Sequence, residues 1–532
     1  MFDLVINNVL IIDGNASKPF KGSIGIIKDK IATITNNELL DGIKSIDGNG
    51  NVLCPGFIDI HSHSDSSFLV YKDCESKVFQ GITTELTGSC GVSLVPNNES
   101  IKNDILTYCK SLCYNTSKID LKFSTLEEYI EKVNENPPAI NGLPQIGQGA
   151  LRMSVMGFKN GKASHDELNK MKYLLERELK AGAWGMSLGL VYPPGSFTEK
   201  EELIELAKVL KKYNAILTVH MRGEEDSIFE SIKEMIDITK KSGVHCHISH
   251  LKLMGRNQWG KANEIINLIK DSIDKGLNIS CDQYPYIASC TSLYPIVPKY
   301  AQRGGIREIK KRFNSDEWET ISKKIEKNIY ARGGAENIIV SSSKGTKENY
   351  QGLSLLDISN KLNISLAEVV KMLIIETEGV ATVIYYSMSA KDVEYIMKQE
   401  NIAIGSDGSA LGFDDFDFGM PHPRNFGTFP RYIRTALDKN LLPLEKIIYK
   451  ATGLPAKLLS LKNRGTIEIG KIADLVIFDL NNIKDTSTFT KPFAKPKGIQ
   501  YVIVSGEIVI ENGLQNKIYN GKILKKTDFN VN

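Results

Sequence analysis

The sequence of 532 residues lacks several features that would assign a protein to a class at once. No window approaches eighteen uninterrupted apolar residues, so the sequence predicts no transmembrane helix. The first seven residues contain neither a basic region nor a long apolar run, so no secretory signal is expected. The formal net charge is only +3, which gives no reason to expect nucleic acid or an anionic membrane as a partner.

The eight cysteines form no Cys-x-x-Cys pair and show no spacing of a disulfide framework. In a chain of this length such a set is typical of reduced thiols in the cytoplasm, with one of them available as a metal ligand. The hydrophobic fraction of 42% and the charged fraction of 24% are those of an ordinary globular protein. We therefore expect a cytoplasmic protein, and the sequence leaves homo-oligomer formation open.

Two β-rich ends enclose a longer middle of different character. Residues 1–54 alternate short β-type runs with turn residues, and the same pattern returns within 455–532. These ends are predicted to form one small β-domain. The middle, 55–454, alternates strand-like runs with helical stretches, as a parallel α/β fold does.

The strand-like runs of the middle recur at a spacing that suits a (β/α)8 TIM-type barrel, whose chemistry lies at the carboxyl ends of the strands. Strands are expected near residues 57–61, 82–88, 144–148, 184–188, 216–220, 246–250, 278–282 and 402–406, and helices at 165–181, 199–212 and 227–241. The connection that follows residue 291 is too long for a plain loop. We predict an inserted subdomain there, at about 291–380, between the last two barrel strands.

Two of the eight histidines, His61 and His63, directly follow an apolar run. Side chains two apart on a strand point to one face, so both imidazoles would be directed to one point, which suits a metal ion. An isolated His-x-His is equally typical of a strand cap followed by a solvated residue. Further candidate metal ligands or acid/base groups nevertheless follow later strand-like runs, namely Cys90, His220, His250 and Asp407.

The remaining histidines carry weaker signals. His245 and His247 have the opposite strand parity to His250, so they are expected to pack or to lie on the surface. His165 stands at a predicted helix start and is expected to be solvated. His422, within Pro-His-Pro-Arg, stays undecided.

The first strand-like run, Pro-Gly-Phe-Ile-Asp-Ile-His-Ser-His from Pro55, resembles the first-strand signature of the amidohydrolase superfamily. Further segments resemble its N-acyl-D-amino-acid deacylase (D-aminoacylase) branch, over nearly the whole chain. They include Gly88-Ser89-Cys90-Gly91, Tyr192-Pro193-Pro194-Gly195, His220-Met221-Arg222, Ser249-His250-Leu251-Lys252, Asp282-Gln283-Tyr284-Pro285-Tyr286 and Ser406-Asp407-Gly408. The resemblance implies hydrolysis of a small N-acyl-D-amino acid to a carboxylic acid and a free D-amino acid.

The resemblance also implies two metal positions. The tight one holds zinc through Cys90, His220 and His250, and the weaker one, whose occupancy stays open, is formed by His61, His63 and Asp407. A thiolate is a good zinc ligand. Asp407 is expected to act first as general base and then as proton donor to the leaving amine, since one carboxyl group serves both steps.

The α-carboxylate of such a substrate needs cationic or hydroxyl-bearing side chains opposite the metal. Lys252 and Arg222 each follow a candidate ligand by two residues, so strand parity directs them to the same side. The alternative for Lys252 is a solvated loop lysine. The resemblance places further substrate contacts at Tyr192, Tyr284 and Ser289, for which packing of the tyrosines is the alternative.

Two departures from the family pattern concern the pocket. Gln148 stands where the family commonly has a histidine, and segment 295–300 lacks an aromatic residue that the family often carries. Two other substrates therefore stay open, a dipeptide cleaved before a D-residue and a cyclic amide of the hydantoin type. Arg424 and Arg431 reach either an acidic substrate side chain or structural carboxylates. A scaffold without activity would need a broken site, and every expected ligand is present.

Overall fold

The computed structural model describes residues 1–36, 38–110, 112–414 and 418–529, so the last three residues of the predicted β-domain lie outside it. The strands are β1 (Phe2–Ile11), β2 (Phe20–Ile27), β3 (Lys30–Asn36), β4 (Gly42–Asp47), β5 (Val52–Pro55), β6 (Phe57–Asp59), β7 (Ile82–Thr87), β8 (Asn141–Pro144), β9 (Ile146–Gly147), β10 (Gly185–Gly189), β11 (Ile216–His220), β12 (His245–Ile248), β13 (Ile279–Gln283), β14 (Ser289–Ser292), β15 (Ile338–Ser342), β16 (Thr382–Tyr385), β17 (Ile402–Ile404), β18 (Leu475–Phe478), β19 (Ile499–Val504), β20 (Glu507–Glu511) and β21 (Leu514–Gln515).

The helices are α1 (Ser67–Val70), α2 (Glu75–Val78), α3 (Lys102–Lys110), α4 (Leu126–Asn134), α5 (Gln148–Met156), α6 (His165–Ala181), α7 (Lys200–Lys212), α8 (Ile228–Ser242), α9 (Ala262–Asp274), α10 (Gly305–Phe313), α11 (Trp318–Ala331), α12 (Leu355–Leu362), α13 (Leu366–Glu376), α14 (Ala390–Met397), α15 (Arg424–Asp438), α16 (Leu444–Ala451) and α17 (Gly453–Leu459). Helix α6 shows why these boundaries form where they do. Ser164 and Glu167 make a reciprocal capping box at its start, and Gly182 in the left-handed region ends it. Within the described residues, no helix is long and apolar enough to cross a membrane.

Strands from both chain ends pair in one sheet, in the order β21-β20-β19-β18-β5-β1-β2-β3 with β4 beside β1. The link between the two ends is β18, which pairs antiparallel with β5 so that Leu475 lies opposite Pro55. One face of this sheet buries a core of aliphatic side chains from both ends, including Ile6, Leu53 and Ile477. Because β5 leads directly into β6, this sheet fixes the start of the strand that precedes His61.

The middle of the chain has the predicted α/β structure. Parallel strands form one sheet in the order β17-β13-β12-β11-β10-β9 and another in the order β6-β7-β8. Residue Gln145 alone separates β8 from β9, and an isolated parallel bridge joins Ser62 to Gly408. The strands expected from the sequence are confirmed, as are helices α6, α7 and α8. Closure of the two sheets into one barrel stays a prediction.

The stretch between β13 and β17 contains helices α10 to α14 and an antiparallel sheet in the order β14-β16-β15. In that sheet Ser289 lies opposite Tyr385. Residues of β14 line the same pocket as the residues that follow the parallel strands. The insertion therefore contributes a wall to the site, and its independence as a subdomain stays a prediction.

Candidate metal centre

The candidate ligands follow the carboxyl ends of parallel strands. His61 comes two residues after β6, Cys90 three residues after β7, and Asp407 three residues after β17. His220 is the last residue of β11, and His250 comes two residues after β12. All five side chains are buried. Parallel strands thus bring residues from distant parts of the chain to one edge, where an α/β fold carries its chemistry.

Three of these residues have an unusual backbone. Cys90, His250 and Asp407 have φ angles of 53°, 38° and 52°, in the left-handed region that non-glycine residues rarely adopt. Such conformations cost about 1–3 kcal/mol each and persist where the surrounding structure fixes them, mostly at functional sites. The three sharp turns are therefore an independent sign that this edge is a site.

The ligand atoms lie close enough to share one ion. One ligand atom from each of His61, Cys90, His250 and Asp407 lies within 4.8 Å of the others. Sγ of Cys90 is 3.4 Å from Nε2 of His61 and 3.5 Å from Nε2 of His250. Nε2 of His61 is 3.4 Å from Oδ1 of Asp407. Two imidazoles, a thiol and a carboxylate form a donor set that fits zinc.

The other two predicted ligands extend this group on either side. Nδ1 of His220 lies 3.1 Å from Nε2 of His250, and Nε2 of His63 lies 3.1 Å from Oδ1 of Asp407. The structure therefore gathers all six predicted ligands in one continuous cluster. Their division into a tight and a weaker metal position stays a prediction.

The electrostatic surroundings favour the ionised form of the two acidic ligands. Burial raises the pKa of the Cys90 thiol, but the neighbouring imidazoles, led by His61, outweigh burial and hold that pKa well below its usual value. Burial likewise opposes ionisation of Asp407, but the Arg424 guanidinium and the imidazole of His250 hold the pKa of its carboxyl well below the usual range. Thiolate and carboxylate are the forms that bind metal.

Glu224 is a buried site residue that the sequence did not reveal. Its Oε1 lies 3.2 Å from Nδ1 of His250 and 2.6 Å from Nζ of Lys252, and its Oε2 lies 3.6 Å from Nε2 of His220. A carboxylate beside one ring nitrogen favours a proton there and leaves the other nitrogen free to bind metal. Nε2 of His250 and Nδ1 of His220 are the nitrogens turned away from Glu224, and they face each other, while Nζ of Lys252 lies 2.8 Å from Nδ1 of His250.

Asp282 is a second buried carboxylate that contacts a candidate ligand, in this case His61. Its Oδ2 lies 3.6 Å from Nδ1 of His61 and 2.8 Å from Nε2 of His247, and its Oδ1 accepts a hydrogen bond from the backbone amide of His250. His247 is fully buried against this carboxylate, which agrees with the predicted packing role. His165 is exposed at the first position of α6, as predicted.

A buried ion cluster connects the strand of His61 to the loop of Asp407. Nζ of Lys77 lies 2.8 Å from Oδ2 of Asp59 and 3.0 Å from Oε2 of Glu85, and donates to Oγ of Ser406 at 2.9 Å. Oδ1 of Asp59 in turn accepts a hydrogen bond from the backbone amide of Ser406. This network ties the end of β6, the first parallel strand of the middle of the chain, to the loop that follows β17, the last one.

A pocket opens beside the cluster and includes three of the predicted substrate contacts, Lys252, Tyr192 and Ser289. The hydroxyl of Tyr192 is 2.7 Å from Oγ1 of Thr291. Lys252 is buried and paired with Glu224, so it is not the solvated loop lysine that was its alternative.

The other two predicted substrate contacts differ. Tyr284 is buried, with its ring centroid 5.2 Å from the Arg424 guanidinium carbon. Arg222 is engaged elsewhere, because its Nε lies 2.9 Å from both carboxylate oxygens of Glu234. We therefore expect Arg222 to anchor α8 to the end of β11 rather than to touch substrate.

Three residues that the sequence left undecided have defined partners. Arg424 lines the pocket, with Nη1 2.8 Å from Oδ2 of Asp407. Nε2 of His422 donates to the carbonyl of Ala288, and its Nδ1 accepts from the backbone amide of Arg424. Burial and the Arg424 cation lower the pKa of His422 well below its usual value, so this imidazole is neutral. Arg431 pairs with Asp485, the structural alternative.

Comparison with known proteins agrees with this geometry. A model of the amidohydrolase family matches residues 44–292 and 399–510. D-aminoacylase of Alcaligenes xylosoxydans xylosoxydans is 31% identical over 530 residues, which cover 99% of this chain and 98% of that protein. The chain belongs to the D-aminoacylase branch of the amidohydrolase family. It is a metal-dependent amidohydrolase with a metal-binding cluster of the kind just described.

Solved structures of this family show the same fold. A crystal structure of D-aminoacylase superimposes with a TM-score of 0.82 at 30% identity, covering 99% of this chain and all of that one. The N-acyl-D-glutamate deacylase of Bordetella bronchiseptica, solved with zinc and a phosphonate inhibitor that mimics the tetrahedral intermediate, gives 0.82 at 27% identity, covering 98% and 99% of the two chains. The names of these two enzymes refer to different N-acyl-D-amino acids, so the substrate of this chain has to be inferred from the residues of its own pocket.

Proposed function

We propose that this amidohydrolase removes the acyl group from N-acyl-D-amino acids with the help of zinc. The observation that carries the proposal is the meeting of His61, Cys90, His250 and Asp407 within 4.8 Å, in a chain of the D-aminoacylase branch. Cys90, His220 and His250 would hold the tight zinc, and His61, His63 and Asp407 the weaker position. When bound, zinc supplies Lewis acidity for the scissile carbonyl and the attacking water.

The two oxygens of Asp407 face different partners. Oδ2 is paired with Arg424 at 2.8 Å, whereas Oδ1 faces the imidazoles of His61 and His63. Oδ1 is therefore the oxygen that takes a proton from the attacking water and delivers it to the leaving nitrogen. The ion pair with Arg424 keeps the carboxylate ionised before the reaction and fixes its orientation.

The cations of the pocket favour an open-chain substrate with a free α-carboxylate. Arg424 and Lys252 both line the pocket and contact members of the cluster, Asp407 and His250. A carboxylate one carbon from the scissile nitrogen would meet these cations, together with the hydroxyls of Tyr192 and Ser289. A hydantoin has no such carboxylate, so the cyclic amide is the weaker alternative.

The test is turnover of N-acetyl-D- and N-acetyl-L-amino acid pools by the zinc-loaded protein, with Asp407→Asn as the control. Release of free D-amino acids by the wild type alone would support the proposal and rank the side chains. Absence of release from both pools, with zinc bound, would contradict it. Dipeptides ending in a D-residue and 5-substituted hydantoins, assayed in parallel, would then identify the alternative substrate.

A further inference from the structure

Four cationic side chains line the pocket. A substrate with an acidic side chain would need one of these cations to be available to it, so their existing carboxylate partners matter. The four cations are Lys110, Lys252, Arg332 and Arg424. Lys252 and Arg424 contact the metal cluster, as described above. Arg332 follows α11 in the insertion and is only 9% exposed, so its charge must be compensated nearby.

Arg332 is compensated by Glu225. Its Nη2 lies 2.5 Å from Oε1 of Glu225, and its guanidinium carbon lies 5.3 Å from the centroid of the Tyr385 ring. Oε2 of Glu225 accepts a hydrogen bond from the backbone amide of Glu224. Two consecutive glutamates after β11 therefore each neutralise one pocket cation, Glu224 for Lys252 and Glu225 for Arg332.

Arg332 and Arg424 lie against one wall of the pocket, the antiparallel sheet of the insertion. Nη2 of Arg424 donates to the carbonyl of Cys290 in β14, and the preceding residue of β14, Ser289, lies opposite Tyr385, over which Arg332 is placed. The two arginines therefore flank the same pair of strands. An α-carboxylate and a side chain leave the same carbon, so a carboxylate bound at Arg424 would leave the side chain within reach of this wall.

We propose that the side chain of the substrate faces Arg332, and that the Arg332–Glu225 pair makes this site select D-amino acids with uncharged side chains over aspartate and glutamate. The inference rests on the proposed deacylase function and specifies its substrate class. Each buried pocket cation among the described residues already has a carboxylate partner, but Asp407 and Glu224, which pair with Arg424 and Lys252, also face histidines of the metal cluster. The carboxylate of Glu225 instead faces Arg332 and the backbone amide of Glu224, so it is not drawn away from Arg332 when a metal binds. An acidic side chain would have to displace Glu225 or bring an uncompensated charge into a buried site, and either costs free energy. Lys110 is exposed, so solvent screens its attraction for an acidic group.

The experiment compares N-acetyl-D-glutamine with N-acetyl-D-glutamate, which have nearly the same shape and differ in charge. For the zinc-loaded wild type we expect kcat/KM to be at least about tenfold higher for the glutamine substrate, a typical discrimination for one mismatched group. Glu225→Gln frees Arg332 to bind a carboxylate, so the ratio should shift by at least about tenfold towards glutamate. Glu230→Gln, an exposed glutamate of α8, is the matched control and should keep the wild-type ratio.

A second variant tests the pair from the other side. Arg332→Gln leaves Glu225 without its cation, so N-acetyl-D-lysine should gain relative to N-acetyl-D-glutamine. The double variant Glu225→Gln with Arg332→Gln should lose the gain in glutamate turnover that Glu225→Gln produces alone. Thermal unfolding of each variant shows whether it is folded, and the wild-type ratio tests the inference even where a variant does not fold.

The outcomes are distinguishable. Wild-type preference for glutamate, or an unchanged ratio in folded Glu225→Gln, would overturn the side-chain assignment while the deacylase function stands. If Glu225→Gln raised turnover of N-succinyl-D-leucine and left the glutamate-to-glutamine ratio unchanged, the pair would face the acyl group, and the assignment would again be overturned. No hydrolysis of any N-acetyl-D-amino acid would overturn the proposed function, and the inference with it.

Discussion

Nη1 of Arg424 lies 2.8 Å from Oδ2 of Asp407, and this contact leaves Oδ1 of the same carboxylate facing His61 and His63. One oxygen is thus fixed by a cation and the other is directed to the cluster. The backbone of Arg424 is itself held in place, because its amide donates a hydrogen bond to Nδ1 of the neutral His422 ring. Oδ2 of Asp407 therefore orients the carboxylate, and Oδ1 is the oxygen available for proton transfer.

Replacing this carboxylate should remove the chemistry and keep the tight metal. Asp407→Asn retains shape but cannot accept a proton, so we expect kcat to fall by about 100- to 10,000-fold, the usual contribution of a general acid–base group. Bound zinc, measured by elemental analysis, should remain near wild type because Cys90, His220 and His250 are intact. Asp414→Asn, an exposed aspartate of the same segment, is the control and should retain kcat. Full activity of Asp407→Asn would assign the proton transfers to another group.

Glu224 should affect the affinity for zinc as well as the binding of substrate. It lies beside His250 and His220, so Glu224→Gln should weaken zinc binding by about 10- to 100-fold, as loss of a carboxylate that orients a ligating histidine commonly does. Competition of the apo protein against a chelator of known affinity measures this directly. Glu225→Gln makes the same change one residue along and should leave zinc affinity unchanged. Equal losses in both variants would show that loop disruption, not ligand orientation, is responsible.

The buried cluster around Lys77 should matter for stability far more than an exposed ion pair. Lys77→Met leaves the carboxylates of Asp59 and Glu85 buried without their cation, so the free energy of unfolding should fall by about 3–5 kcal/mol. Lys212→Met, which removes the exposed pair with Glu176, should cost less than about 1 kcal/mol. Denaturant unfolding of the apo protein compares the two, and similar midpoints would contradict the prediction.

Lys450 predicts a pH dependence of stability. Burial lowers its pKa to about 7, and its Nζ donates to the carbonyls of Met397 and Gln399. An unfolded lysine titrates near pH 10.4, so between about pH 7 and 10 the unfolded chain holds a proton that the folded chain has released. The destabilisation by this lysine is therefore complete below pH 7 and is relieved as the pH rises.

The matched variant removes that titration. Between pH 7 and 9, the free energy of unfolding of the wild type should rise relative to that of Lys450→Met, as measured by denaturant unfolding at each pH. Lys457→Met, which changes an exposed lysine of the following helix α17, should follow the wild type. Parallel pH profiles for the wild type and Lys450→Met would show that Lys450 stays protonated in the folded state.

Strand periodicity singled out the candidate histidines, and the resemblance to a family completed the candidate ligand set. His61, His220 and His250 each stand at or just after the end of a strand-like run, and parallel strands align such ends at one edge. The parallel strands themselves were predictable for the same reason, since a buried strand reads as a short apolar run between turn residues. By themselves, Cys90 is typical of a small buried residue and Asp407 of a turn residue, so the roles predicted for both depended on the resemblance to a family.

The groups that act behind the ligands were not predictable. Glu224 and Glu225 lie in a polar stretch beyond β11, where consecutive glutamates are ordinarily solvated. Arg332 lies in the insertion, far along the chain from its partner, and only the folded arrangement of β14 and β16 brings it to the pocket. Lys77 is a lysine in a four-residue helix, and nothing local distinguishes it from a surface residue. Such partners are brought together by tertiary contacts, and these produce no periodic pattern in the sequence.

The antiparallel pairing of β18 with β5 has a consequence for synthesis. Strand β5 leads directly into β6, yet its neighbour, Leu475–Phe478, is synthesised about 420 residues later. While translation proceeds, the nascent chain therefore carries an open β-edge next to the strand that precedes His61. An exposed edge of this kind favours pairing with other chains, so the emerging polypeptide should depend on chaperones until Leu475–Phe478 has been synthesised.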